Sequence, residues 1–202
     1  MAMKLNMSKA YDRVEWSFLE KILLKLGFWE SWVALIMECI TTMSYSILLN
    51  EEPKGMITLS RGLRQRDPLS PYLFLFCAEG LSALLRNAAT GGDIQGFSIC
   101  RNGPKLTHLL FVDDCLIFFR STLAECNNIQ ELLAFYEITS GQMINKEKTT
   151  LFFSRDTDEQ TQEAIKLAFN VPTIQHYEKY LELPSFVGRN KTVCFTQIKE
   201  RI

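Results

Sequence analysis

The run LLFVDDCLIFF, Leu109–Phe119, sets two adjacent carboxylates inside an otherwise apolar segment. Without Asp113 and Asp114 it would read as one buried strand. Charged groups are seldom buried without a partner, and two like charges side by side raise the cost further. The chain is therefore expected to fold this stretch as a hairpin, with Leu106–Val112 and Cys115–Phe119 as strands and the two acids at its tip. Paired carboxylates in such a place hold divalent cations well, because Mg²⁺ takes oxygen ligands and its charge cancels their repulsion. Two-metal phosphoryl-transfer sites need carboxylates from separate strands to hold ions ~3.5–4 Å apart. The competing reading is an exposed turn, since Asp is common in turns. The apolar runs directly against both sides favour the metal site.

Such a site also needs a third carboxylate from another strand. In KLNMSKAYDRV, Lys4–Val14, the strand end offers only Asn6, a neutral amide. Asp12 is expected a turn and a half into a helix, serving the helix N-terminus or pairing with Arg13 or Lys9.

The remaining pattern places these motifs on elements. Apolar residues at Tyr11, Val14, Phe18, Ile22 and Leu26 have the 3–4 spacing of a helix over 8–26, ended by Gly27. A second helix is expected from Ser31 to about Thr42. Tyr45–Leu49 and Met56–Leu59 flank the turn-like 51–55 and predict a hairpin. Ser70-Pro71 reads as N-cap and first helical residue of a helix through Ala89. After Gly91-Gly92 comes a strand at Ile94–Cys100. Thr122–Glu125 has the form of a capping box, opening a helix that stops at Gly141. Thr149–Phe153 and Tyr180–Leu183 read as strands and Asp158–Phe169 as a helix. Strands separated by helices, with local hairpins, indicate an α+β fold.

With 22 Lys and Arg against 23 Asp and Glu, no global basic field announces a nucleic-acid binder, although Arg61, Arg64 and Arg66 crowd one segment. The six cysteines form no C-x-x-C pair and His108 and His176 are far apart, so a zinc site or disulfide framework is not expected. The N-terminus lacks an apolar signal core, and the longest apolar stretch, 72–85, is too short to span a bilayer. No membrane association and an intracellular location, cytoplasmic or nuclear, are expected.

Five motifs, in order, give the chain a resemblance. MSKAYDRVEW, RGLRQRDPLSPYLF, FVDD, SGQMINKEKTTLFFS and YLELPSFVGRNK resemble successive motifs of the reverse transcriptase domain of plant LINE-type (non-LTR) retrotransposons, over almost the full length. The resemblance implies a polymerase right-hand palm: a small antiparallel sheet packed by helices over 1–170, with the primer-grip region and the start of a thumb over 171–202. It implies a protein that extends a DNA primer along an RNA template with Mg²⁺ or Mn²⁺. Asp113 and Asp114 would be metal ligands, and Asn6 would stand at the third, lost aspartate position. Tyr11 would be the gate against a ribose 2′-OH. Gln65 and Lys148 would lie near the incoming nucleotide, and Tyr180, Leu181, Leu183 and Pro184 would support the primer end.

Three departures from that family pattern matter. Asn6 removes a full negative charge from the metal site. Arg66 replaces the glycine of the family's second motif, where the backbone should approach the nucleotide closely. Glu182 replaces another glycine near the expected primer. The fingers are expected to be missing and the thumb only begun. The expectation is a polymerase palm that is catalytically inactive and binds metal weakly if at all. The alternatives are a polymerase completed by another chain, and a non-catalytic nucleic-acid-binding or interaction module that keeps the palm shape.

Overall fold

A computed structural model describes residues 1–171 apart from 99, 102, 113 and 155, with the backbone of 179–180 and 183–184. In chain order the elements are β1 (Ala2–Asn6), α1 (Trp16–Lys25), α2 (Glu30–Thr41), β2 (Ser44–Leu49), β3 (Glu52–Thr58), α3 (Ser70–Gly91), β4 (Phe97–Ser98), β5 (Lys105–Leu106), β6 (His108–Phe111), β7 (Asp114–Phe118), α4 (Leu123–Ser140), β8 (Thr150–Phe152), α5 (Glu159–Phe169), β9 (Lys179–Tyr180) and β10 (Leu183–Pro184).

Alternation along β1 and β7 determines how the sheet sits. Met3, Leu5, Cys115 and Ile117 are buried, whereas Lys4, Asn6, Asp114 and Leu116 are half-buried on the other face. The antiparallel order is β6-β7-β1-β8, with Asn6 opposite Asp114 and Lys4 opposite Leu116. The inner face shares one core with Leu19 and Leu23 of α1, Leu73, Cys77 and Leu81 of α3, and Ile129, Leu133 and Tyr136 of α4. Each fully buried Leu or Ile contributes about 1.5–3 kcal/mol. A one-residue slip of β1 would carry Lys4 and Asn6 into that core, so the register is firmly specified. The fold is α+β, as the pattern predicts.

The helices start and stop for local reasons. Asp67 Oδ1 accepts the N–H groups of Leu69 (2.8 Å) and Ser70 (3.3 Å) ahead of α3, which ends where Gly92 adopts φ +85°. Leu69, not Ser70, is the N-cap. At α4 the Thr122 side chain accepts the Glu125 N–H, but the reciprocal half of the expected capping box is absent. Glu125 Oε2 instead accepts the N–H groups of Gln95 and Arg120, both at 2.9 Å, tying α4 to two preceding loops.

Other departures have long-range causes. The helix expected from Ser8 begins only at Trp16, because the Ser8 N–H is bonded to Met143 O (2.7 Å) and Lys9 takes φ +51°. The expected turn over 51–55 is tighter: Asn50 and Glu51 have φ +51° and +68°, the left-handed pair of a two-residue hairpin, and Pro53 sits within β3. That hairpin exposes Ile47, Leu48, Leu49, Met56 and Ile57. The strand expected over 94–100 shortens to Phe97–Ser98 among the described residues, and the one expected over 106–112 divides into β5 and β6.

Candidate active site

The exposed end of β1 meets the start of β7. Asn6 Nδ2 donates to Asp114 Oδ1 at 3.4 Å, the cross-strand neighbour its register gives it. Asp114 is thus already the first residue of β7, paired with Phe111 across the hairpin, and not part of the tip. Val112, which follows β6, takes φ +53°, a conformation costly for a β-branched residue. Asp113 lies outside the described residues.

Lys4, two residues before Asn6 on the same face, brings its Nζ to 4.0 Å from Asp114 Oδ2. Its partner across β7 is Leu116, so the contact is a diagonal one that the four-carbon stem spans. Composition gave Lys4 no prominence. The alternation of strand faces was the available signal, because a residue two before Asn6 must share its face.

A third segment closes on this end. The Asn145 N–H donates to Asn6 O at 2.8 Å, Met7 bridges to Ile144, and the turn that follows carries Lys148, exposed, with its N–H bonded to Asn145 O. Lys148 therefore lies on the turn directly after the residue that holds Asn6. Below it, Gln142 Nε2 donates to Ala10 O (3.2 Å) while Gln142 Oε1 accepts from Tyr136 Oη (2.9 Å), both buried.

The second motif packs on the first through backbone. The Gly62 N–H bonds to Val14 O and the Leu63 N–H to Tyr11 O, both at 2.8 Å, and Trp16 Nε1 donates to Gly62 O. A Cβ on Gly62 would lie 2.7 Å from Asp12 O, at φ +92°, which is why glycine stands there. This contact brings Gln65 Nε2 to 3.3 Å from Asp12 Oδ1. Asp12, read from sequence as a helical residue paired with Lys9, Arg13 or the helix end, is instead an exposed turn residue that accepts from Gln65. Tyr11 is half-buried and stacks on Phe74 of α3, with centroids 4.7 Å apart and planes at 14°. Arg66 is exposed with φ +65°, so the glycine of the family pattern has a backbone reason beyond close approach.

Of the residues expected at the primer end, Tyr180 lies opposite Leu183, with Lys179 opposite Pro184, in the antiparallel pair β9 and β10. Leu181 and the side chains of the other three lie outside the described residues. The structure brings Asn6, Asp114 and the Lys148 turn together at one sheet end and puts Tyr11 and Gln65 on the adjoining loop pair.

Position 6 offers a neutral amide where a third carboxylate would be expected. The Asp114 oxygens face that amide N–H and the Lys4 ammonium, and no three His, Cys, Asp or Glu side chains come together among the described residues.

The family model described as "Reverse transcriptase (RNA-dependent DNA polymerase)" matches residues 1–190. An uncharacterised mitochondrial protein of Arabidopsis thaliana is 52% identical over 67 residues, 33% of this chain and 55% of that protein. The retrovirus-related Pol polyprotein from the type-1 retrotransposable element R2 of Popillia japonica is 26% identical over 144 residues, 71% of this chain and 23% of that protein. The chain therefore spans about half of the first relative's length and under a quarter of the second's. Telomerase from Candida tropicalis, truncated from its C-terminal domain, superposes with a TM-score of 0.58 at 15% identity, covering 78% of this chain and 31% of that one. Telomerase from Candida albicans, solved with a fragment of telomeric RNA, gives 0.52 at 16% identity, covering 78% and 27%. At these identities the superpositions bear on fold alone.

Proposed function

The chain belongs to the reverse transcriptase (RNA-dependent DNA polymerase) family, of the non-LTR retrotransposon type, and from that premise we propose that it is a palm that has lost nucleotidyl transfer while keeping the surface that receives an RNA template and DNA primer. The observation that carries this reading is Asn6 hydrogen-bonded across the strands to Asp114. The family uses Mg²⁺ or Mn²⁺. Where its pattern has an aspartate bridging the ions, this chain presents an amide that donates toward the neighbouring carboxylate. An amide supplies a neutral oxygen at best, and ligand charge is a main determinant of affinity for hard cations.

The remaining residues keep roles that need no ion. Tyr11, backed by Phe74, is a rigid aromatic wall whose ring is fixed by stacking. In this reading it stands beside the sugar of a nucleotide. Gln65, anchored to Asp12, offers its amide oxygen to the template side, and Lys148 offers an exposed ammonium to phosphate. Binding through such contacts weakens as salt rises.

The test is primer extension on a primed RNA template with Mg²⁺ and with Mn²⁺, run beside a filter-binding titration at several salt concentrations. Salt-dependent binding without extension is expected. Extension by the unmodified chain would overturn the loss of transfer, and no binding at low salt would overturn the retained surface.

A further inference from the structure

We infer that Met143 is a site of reversible oxidation by peroxide, and that the sulfoxide oxygen formed there supplies Arg13 with the acceptor it lacks and tightens the clamp between the first motif and the turn after α4. Two independent observations meet at this contact. Arg13 Nη1 donates to Met143 Sδ at 2.7 Å, and among the described residues that thioether is the guanidinium's one hydrogen-bond partner. Arg13 Nε is buried without any partner among them. A guanidinium carries five N–H donors, and a thioether sulfur accepts only weakly. The carboxylates beside it in sequence are engaged elsewhere, Asp12 by Gln65 and Glu15 by Arg61, both at 3.3 Å. Met143 is 47% exposed and open to an oxidant in solvent, whereas Met3 and Met7 are buried. Its backbone is already closed on the first motif: the Ser8 N–H bonds to Met143 O, and a Cβ on Gly141 would lie 2.6 Å from Arg13 O. The new oxygen therefore forms beside the guanidinium.

The step is a two-electron oxidation. A sulfur lone pair takes one oxygen from hydrogen peroxide, the O–O bond breaks, and the other oxygen leaves as water after a proton shift. Sulfur is oxidised and the peroxide reduced. Methionine sulfoxide reductases reverse it, two thiols becoming a disulfide while the sulfoxide oxygen leaves as water. In an apolar core the polar sulfoxide disrupts packing. Here it meets unsatisfied N–H donors of a cation, and hydrogen bonds from charged donors are the stronger kind. Oxidation at Met143 thus stabilises the fold where oxidation at most methionines weakens it.

The experiment treats the full chain with dilute hydrogen peroxide, follows each methionine by peptide mass spectrometry, and reads Tm by circular dichroism before and after. Oxidation of Met143 is expected to raise Tm by about 2–4 °C. Reduction with the reductases for both sulfoxide epimers is expected to return Tm to its starting value. Met56→Leu, which removes the more exposed methionine of β3, is expected to gain as the unmodified chain does. Met143→Leu is expected to gain nothing. Arg13→Leu, or Arg13→Ala where that does not fold, is expected to lose the gain although Met143 is still oxidised. Met143 left unoxidised while Met56 reacts, no rise in Tm once Met143 is oxidised, or an equal rise in Met143→Leu or in the Arg13 variant overturns the inference. A sulfoxide that the reductases leave in place overturns its reversibility.

Discussion

Arg66 carries a cost that a single substitution should release. It is an L-residue with φ +65°, on an exposed loop, with no hydrogen-bond or ion-pair partner among the described residues. Left-handed backbone costs such a residue roughly 1–2 kcal/mol. Arg66→Gly removes that strain but gives the unfolded chain more freedom, an opposing effect of about 0.4–1 kcal/mol. The net expectation is a gain of about 0.5–1 kcal/mol, equivalent to a rise in Tm of roughly 1–4 °C for a chain of this length. Arg66→Ala is the control, because it removes the guanidinium but keeps the Cβ and hence the strain. It should lie within about 0.5 kcal/mol of the unmodified chain. Urea and thermal unfolding followed by circular dichroism measure all three. Destabilisation by Arg66→Gly, or an equal gain from Arg66→Ala, would refute the strain argument, the second by tracing the effect to charge.

Gly62→Ala should do the opposite in the same loop, costing at least about 1–2 kcal/mol in urea unfolding, since a Cβ meets Asp12 O at 2.7 Å and φ is +92°. His108 bonds through Nε2 to Ser82 (2.9 Å), and burial, followed by the Arg86 charge, lowers its pKa from 6.5 against the opposing pull of Glu79. The neutral form is the one favoured in the folded state, so stability should be full above about pH 6.5 and fall as pH drops below it, a slope that His108→Gln flattens. Cys39 and Cys100 are exposed and should alkylate readily at pH 8, whereas Cys77 and Cys115, buried with thiols pushed up to about 12, should react only on unfolding, as mass spectrometry after timed labelling would show. Leu48→Lys and Met56→Lys, on the exposed hairpin, should raise solubility without lowering Tm, measured by light scattering beside the melt.

What was legible in the sequence came from two sources. The pairing of the strands on either side of Asp113 and Asp114 could be read from their apolar runs, whereas placing Asn6 on the strand beside them followed from the order of the family's motifs. The helix ends at Gly141 and after Asp158 were legible for the same local reason, a left-handed glycine and a side chain that caps. The beginning of α1 was not. Val14, Phe18 and Ile22 keep helical spacing, but the Ser8 N–H is bonded to Met143 O, which no local window contains. Asp12 was misplaced with them. Lys4 was legible only through strand geometry, and its partner only once Asn6 was set opposite Asp114. Asp113 and Leu181, both prominent in the motifs, lie outside the described residues.

The clamp around the first motif has a consequence in time. Gln142 reaches Ala10 across 132 residues, and Ser8 and Asn6 are bonded to Met143 and Asn145 over similar spans. At ribosomal rates of about 5–20 residues per second, these partners emerge roughly 7–28 s after the segment they secure. For most of that interval the apolar side chains of β1 lack β7, and for all of it they lack the closing turn, and loop closure over such a length is slow to nucleate. A strand made early is thus ordered late, and a chaperone that holds short apolar strands has a long opportunity at Met3 and Leu5.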